Sequence, residues 1–421
     1  MKLLLVIFLA VIGVNWPELP YNARLADLIF IPLAVVVLML PTAKWTWRPV
    51  DWAVIGYLLG AVASIALSSD RQQGADEVAR EVYLVAIYVI VAIAARHGFA
   101  RLIGTGLALG AATLSIVGLA VLGIQMATGA QWPLFGEVMQ LPYLGSTLRL
   151  RALAVTPAMF ACVLTAAVPF AIALCHERQR AWCLAAAGMA IAGLFTFSHV
   201  MAGFAVAVLI VTWRSLAPWP RRLAAAAAIA ITLAFNVAAI ASIKSFNYGA
   251  SSYADATQYQ YAIDQQQLRI GDAAITYNMM SYARIKQVAW RAFLEHPITG
   301  VGLDRFHDET RRAYSEGLLT NTYQEIDPHS TLLGRLAECG IIGGITLLLL
   351  WLSWAGMARD VVRSGPDASL GYAAGAAIAG LIVAGVNADI MNFRFLWVIA
   401  GMLRGLREMP PAAAPRTHPR P

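Results

Sequence analysis

Long apolar runs alternate with short polar breaks along most of the chain. Runs near 3–16, 26–41, 51–68, 81–95, 102–127, 152–175, 181–197, 200–213, 222–242, 338–356, 369–387 and 391–403 recur at or near span length; a membrane helix needs about 20 mostly apolar residues. Within the runs the apolar character is continuous, as from Leu223 to Ile243, whereas strands of a membrane barrel alternate apolar and polar residues over about ten positions. The pattern predicts an all-α, polytopic transmembrane protein with roughly a dozen spans. The pair 181–197 and 200–213 is short enough to be re-entrant. Met1 to Trp16 has the outline of a signal peptide, but no small-x-small cleavage site precedes Trp16-Pro17, so it is expected to stay as the first helix.

One long polar excursion interrupts this pattern. Residues 244–280 are polar and aromatic, 281–295 have the spacing of an amphipathic helix, and 296–328 carry Gly300, Gly302 and Gly317 before Asp327-Pro328-His329. The expected organisation is therefore helices 1–9 over 1–243, a large loop containing short helices over 244–337, helices 10–12 over 338–404, and a Pro/Ala-rich tail over 405–421 that is expected to be disordered.

Composition agrees with the pattern. The chain is 59% hydrophobic and only 13% charged, with a mean hydropathy of +0.64, against about 25% charged residues in a soluble domain. Its net charge of +7 superficially suggests nucleic acid, but the charges are scattered between the apolar runs and orient the spans instead. With the N-terminus inside, the inner segments hold sixteen of the 31 basic residues, the short outer segments six, and the long loop the other nine. That bias follows the positive-inside rule and predicts cytoplasmic termini with the 244–337 loop facing outward. Cys162, Cys175, Cys183 and Cys339 show no CxxC spacing and are expected to be reduced packing residues.

Candidate chemistry gathers in and near the loop. The sequence has no Walker A loop, GxGxxG, HExxH or DxD motif, which argues against an ATP-driven pump and a metal-dependent nucleotide-sugar transferase. Arg284 and Arg291 are seven apart, nearly two helical turns, and share a face beside the apolar Ile285, Ala289, Ala292 and Phe293. Two aligned guanidiniums suit a phosphate, or simply lipid headgroups. Asp327 and Pro328 read as N-cap and first-turn residues, placing His329 in the first turn of a helix. There the positive end of the dipole favours a neutral imidazole able to act as a base; a capping or packing histidine is the plainer alternative. Arg149, Arg151 and Arg394 sit on the outer side, where the charge bias does not call for arginine, and fit an anionic lipid substrate.

The order of these motifs resembles a known family. Arg284-Ile285-Lys286-Gln287-Val288-Ala289-Trp290 is followed by Pro297-Ile298-Thr299-Gly300-Val301-Gly302, Phe306, His329-Ser330-Thr331-Leu332-Leu333 and Glu338-Cys339-Gly340. This is similar to the outer loop of the O-antigen ligase and O-antigen polymerase superfamily, with its Arg-x-x-x-x-x-Trp helix, Pro-x-x-Gly-x-Gly turn and His-Asn/Ser-x-x-Leu…Glu-x-Gly helix. Arg24-Leu25-Ala26-Asp27 and Arg151 with Pro157 are shorter matches. Ser330 replaces the family's Asn, and His199 follows Thr196-Phe197-Ser198 where the family often has Ser-Arg.

The resemblance implies a glycosyltransferase of the bacterial inner membrane that needs neither metal nor cofactor. Its donor is a glycan on undecaprenyl pyrophosphate. Its acceptor is lipid A–core oligosaccharide for a ligase, the reading favoured by a single long loop, or a second lipid-linked unit for a polymerase. His329 and Arg284 are then the expected catalytic residues, with Arg284, Arg291, Arg151 and Arg149 binding pyrophosphate. A lipid-linked glycan transporter is the alternative from another class, but the two related halves and mid-membrane charges common in transporters are not evident.

Overall fold

The computed structural model describes all residues except 18–22, 42–44, 68–70, 131, 142–144, 178–179, 214, 249–264, 271–272, 280, 320–326, 365–366 and 410–421. The tail expected beyond 410 and much of the aromatic stretch after 248 therefore lie outside the described residues.

The chain is mostly helical. Among the described residues, nine α-helices come first: α1 (Lys2–Val11), α2 (Leu25–Leu38), α3 (Pro49–Leu67), α4 (Arg71–Ala94), α5 (Ala100–Thr128), α6 (Pro157–His176), α7 (Arg180–Leu194), α8 (Met201–Thr212) and α9 (Pro218–Ile240). Two shorter helices, α10 (Ser281–Glu295) and α11 (Phe306–Ser315), precede α12 (Thr331–Ser364), α13 (Ala368–Ala384) and α14 (Arg394–Leu406). Among the described residues, four stretches are long and apolar enough to cross a membrane: Pro49–Ala66, Gly74–Thr128, Pro157–His176 and Thr331–Arg363. The second is two helices, because the backbone breaks at His97 and Gly98, where φ reaches +87°. Several of the remaining apolar helices are shorter than 18 residues, α1, α2, α7, α8 and α13 among them.

Helix ends are fixed by local chemistry. Thr156 caps α6 by accepting from Met159 N at 3.1 Å, with Pro157 at the first helical position. Asp367 caps α13 through Leu370 N at 3.1 Å. Gly129 closes α5 in the left-handed region. The core these helices enclose is built from Leu, Ile, Val, Ala and large aromatics such as Phe8, Phe160, Trp354 and Trp397, all of them buried.

Strands appear where an all-α chain was expected. Between α5 and α6, β1 (Gly136–Leu141) and β2 (Gly145–Leu150) form an antiparallel hairpin pairing Glu137 with Arg149. After α9, β3 (Ala241–Tyr248), β4 (Gln265–Ile270) and β5 (Ala273–Met279) form an antiparallel sheet of order β3-β5-β4. Both lie between apolar runs, where spacing at 3.6 residues gives no signal. The boundary expected at 243/244 falls within β3, that at 337/338 within α12, and that at 404/405 within the last turn of α14.

Hydrogen bonds gather the helix ends at two opposite rims. At one, Asn15 N donates to Leu153 O (2.8 Å), Leu150 N to Phe195 O (2.8 Å), and Thr331 N to Gly385 O (2.8 Å). There too Arg394 holds Asp27 with two bonds of 2.5 and 2.6 Å. At the other, Arg404 grips Asp51 with two bonds of 3.0 Å and donates to Thr46 O at 2.7 Å, while Arg407 pairs with Asp360 at 2.6 Å. Cys175 and Cys183 are also at this second rim, and they form a disulfide. This corrects the expectation of four reduced cysteines. The pair joins the last turn of α6 to the first turn of α7, residues eight apart without any CxxC spacing; Cys162 and Cys339 are free and buried as expected.

Candidate functional site

The loop helices are anchored to α12 by a backbone joint. Val301 N donates to Ala337 O (2.9 Å), Gly302 N to Glu338 O (3.0 Å), and Ile341 N to Pro297 O (2.8 Å). Gly300 and Gly340 both have positive φ, +69° and +61°. A Cβ on Gly300 would collide with the Glu338 backbone, and one on Gly340 with the Ile298 carbonyl. The Pro-x-x-Gly-x-Gly turn and the Glu-x-Gly segment are thus two halves of one contact, and their glycines serve geometry. Above the joint, α10 buries Ile285, Val288, Ala289 and Ala292 against Ala337 of α12 and Phe306 and Ala313 of α11. This is the apolar face its spacing predicts, although Phe293 is only partly covered. Below it, the buried Arg335 pairs with Glu81 and lies 4.5 Å over the Tyr57 ring, tying α12 to α3 and α4.

His329 stands just outside α12. The helix begins at Thr331, and Gly334 N bonds to Ser330 O at 2.8 Å, so Ser330 occupies the cap position. This corrects the expectation that Asp327 and Pro328 start the helix. His329 has φ +48°, a left-handed backbone that a non-glycine residue rarely adopts and that costs on the order of 1 kcal/mol or more. Its surroundings hold it there: Pro328 and Ser330 are buried, and Thr331 Oγ1 donates to Ala388 O and accepts from Ile390 N, both at 2.9 Å. The imidazole pKa lies below its ordinary value, chiefly because burial disfavours the charged form. The nearby Asp327 opposes this shift and Lys286 adds to it. Neutrality therefore arises from burial and a neighbouring cation, not from a first-turn position.

A cavity of about 140 Å³ opens beside His329, with Arg149, His199, Glu137 and Asn387 also on its wall. Each arrives from a different element. Arg149 comes from β2, and its Nε donates to Thr196 O at 2.9 Å. His199 comes from the break between α7 and α8, where Phe197 has φ +45°. Asn387 comes from the short turn after α13 and accepts from Lys286 Nζ at 2.6 Å.

The arginines singled out by the sequence separate here. Arg149 shares the cavity with His329. Arg151 follows it along the chain, but its Nε donates to Ala154 O at 3.0 Å within the turn into α6. Arg284 and Arg291 are on α10 and do not line the cavity. Arg284 Nη1 reaches Gln287 Oε1 at 3.4 Å. Arg291 bonds Glu316 at 2.5 Å, within a network that includes Glu295 and Arg312. Lys286 and Asn387 carried no sequence signal of their own; His199 stood out only as a departure, following Thr196-Phe197-Ser198 where the family often has Ser-Arg.

The fold and this site define a helical membrane protein with a polar, histidine-bearing cavity at one rim. Residues 182–348, from α7 through the loop into α12, match the family model described as O-Antigen ligase. The match covers less than half of the chain; it supports the O-antigen ligase superfamily, whose ligases and polymerases are glycosyltransferase-like, and with it a general enzyme role. Comparison with curated proteins finds no match.

Proposed function

We propose that the protein is an O-antigen ligase of the bacterial inner membrane, transferring a glycan from undecaprenyl pyrophosphate to lipid A–core oligosaccharide at the periplasmic face. The observation that carries this reading is the meeting of a half-buried His329, its pKa lowered by burial, with Arg149 in one cavity at the rim that also bears the family's loop. Helix ends alternate between the two rims along the chain, which supports placing both termini on the side opposite the cavity; the bias of basic residues supports taking that side as the cytoplasm.

The chemistry requires no further group. Pyrophosphate is already a good leaving group. His329 takes the proton of the acceptor hydroxyl as its oxygen attacks the anomeric carbon; the bond from that carbon to the pyrophosphate oxygen breaks, and configuration inverts. General-base assistance of this kind contributes about 10²–10⁴-fold. Arg149 meets the charge that develops on the pyrophosphate, and Arg284, Arg291 and Arg151 extend the positive field around it. A guanidinium placed to meet that charge contributes most where water is excluded.

The test is transfer by the purified full chain in lipid nanodiscs, given undecaprenyl-pyrophosphate-linked glycan and lipid A–core, in EDTA and without ATP. Glycan-bearing lipid A–core is the expected product. Lengthened lipid-linked glycan instead would identify a polymerase, and transfer that stops in chelator and returns with a divalent ion would refute the metal-independent mechanism.

A further inference from the structure

Lys286 is an unusual residue to find where it is. It lies on α10 between the buried Ile285 and Val288, and is itself half-buried. Burial holds its pKa below the ordinary value. Its ammonium spans from α10 to the turn after α13, where it meets Asn387 Oδ1 at 2.6 Å. An ammonium has three donors and no acceptor, so it can face only the oxygen of an amide. The Asn387 amide is therefore locked in one orientation, with its NH₂ turned from Lys286 while the residue lines the cavity beside His329 and Arg149. The same turn is fastened to the start of α12 by Thr331, two residues after His329, through Ala388 O and Ile390 N. One hydroxyl thus ties the turn that carries Asn387 to the helix start that follows His329.

We propose that Lys286 is a positioning residue that presents Asn387 as a hydrogen-bond donor to an oxygen of the substrate, a sugar hydroxyl or pyrophosphate oxygen, next to the base. This rests on the transfer reaction proposed above.

Asn387→Asp separates this role from a merely structural one. It keeps the contact with Lys286 as an ion pair but replaces a donor with a carboxylate that only accepts and that repels pyrophosphate. We expect an unchanged or raised thermal midpoint and a fall in kcat/KM of about a hundredfold, as when one preorganised donor is removed. Lys286→Met should lower kcat/KM about tenfold; measured on the neutral-pH plateau, where the cation's effect on His329 no longer limits the rate, the double variant should be no slower than Asn387→Asp alone, because there Lys286 acts through Asn387. Activity of Asn387→Asp within twofold of wild type, or effects of the two substitutions that multiply, would overturn the proposal. The thermal midpoints of the same four proteins form a stability cycle, and absence of coupling between positions 286 and 387 would also overturn it. If wild type itself transfers nothing from undecaprenyl-pyrophosphate-linked glycan to lipid A–core, the reaction reading fails, while the stability cycle still decides the tether.

Discussion

Each rim of the helix bundle carries an arginine–carboxylate clamp, and the two clamps are embedded in contrasting surroundings. Arg404 is fully buried and holds Asp51 from α14 to α3, with Glu408 at 2.9 Å, the Thr46 carbonyl and the Trp45 ring also in contact. Arg394 holds Asp27 in the same bidentate manner, with Tyr83 donating to the same carboxylate at 2.5 Å, but at a rim where a cavity opens among α6, the α7–α8 break and the turn after α13. One rim spends its charged residues closing the bundle. The other uses one clamp for that purpose and has further cations, Arg149 and Lys286, around a histidine held in a costly backbone conformation. Strain of this kind, kept by surrounding packing, is characteristic of sites that act.

Substitutions at the two rims should therefore fail in different ways. Among the arginines, the largest loss of turnover is expected from Arg149→Ala, about 10²–10³-fold in kcat with normal membrane abundance. Arg149→Lys should recover little, since an ammonium cannot reproduce the planar fork. Full activity of both, measured per mole of purified protein, would remove Arg149 from the site. At the opposite rim, Arg404→Ala leaves Asp51 buried without its partner, which costs about 3–5 kcal/mol of stability, while molecules that stay folded should turn over at close to the wild-type rate. Thermal midpoints and specific activity measured on one preparation separate the two. Arg291→Ala should change least, because exposed ion pairs contribute at most about 1 kcal/mol. A severe loss of transfer in Arg291→Ala would show that α10 meets the substrate through its outer face as well.

The Cys175–Cys183 pair sharpens the same contrast. In the proposed topology it faces the cytoplasm, where thiols are kept reduced. The disulfide of the structure and that orientation therefore cannot both hold in cells: alkylation of both cysteines by a permeant reagent in acid-quenched cells, with none by an impermeant one, would support the orientation. A disulfide found intact in cells would put that rim in an oxidising compartment and reverse the orientation.

Helices were legible in the sequence because their signal is local: continuous apolar runs mark most of them, and the spacing of Ile285, Ala289 and Ala292 marks the buried side of α10. Strands β1 to β5 were missed because they are short, sit in polar connections and are fixed by pairing rather than by composition. Within the site, His329 and Arg149 could be named from motif and position, but their meeting could not, since it depends on a hairpin, a helix break and a distant turn converging. The helix start at Asp327-Pro328 followed a sound capping rule, and tertiary bonds through Thr331 and Ser330 overrode it. The motif glycines were visible as a pattern, but their reason, the mutual close approach of Gly300 and Gly340 to each other's strands of backbone, required the fold.

The central claim is that His329 removes the acceptor's proton. Its lowered pKa places the charged form on the acid side of the ordinary histidine value of about 6.5, so wild-type turnover should be level at neutral pH and fall only as pH drops through that lower value. The decisive measurement is the pH profile of glycan transfer per mole of monodisperse His329→Ala protein beside wild type. The account predicts a loss of about 10²–10⁴-fold at neutral pH, with donor binding retained and the acid limb gone. Near-wild-type turnover, or an acid limb that survives in the variant, would contradict it.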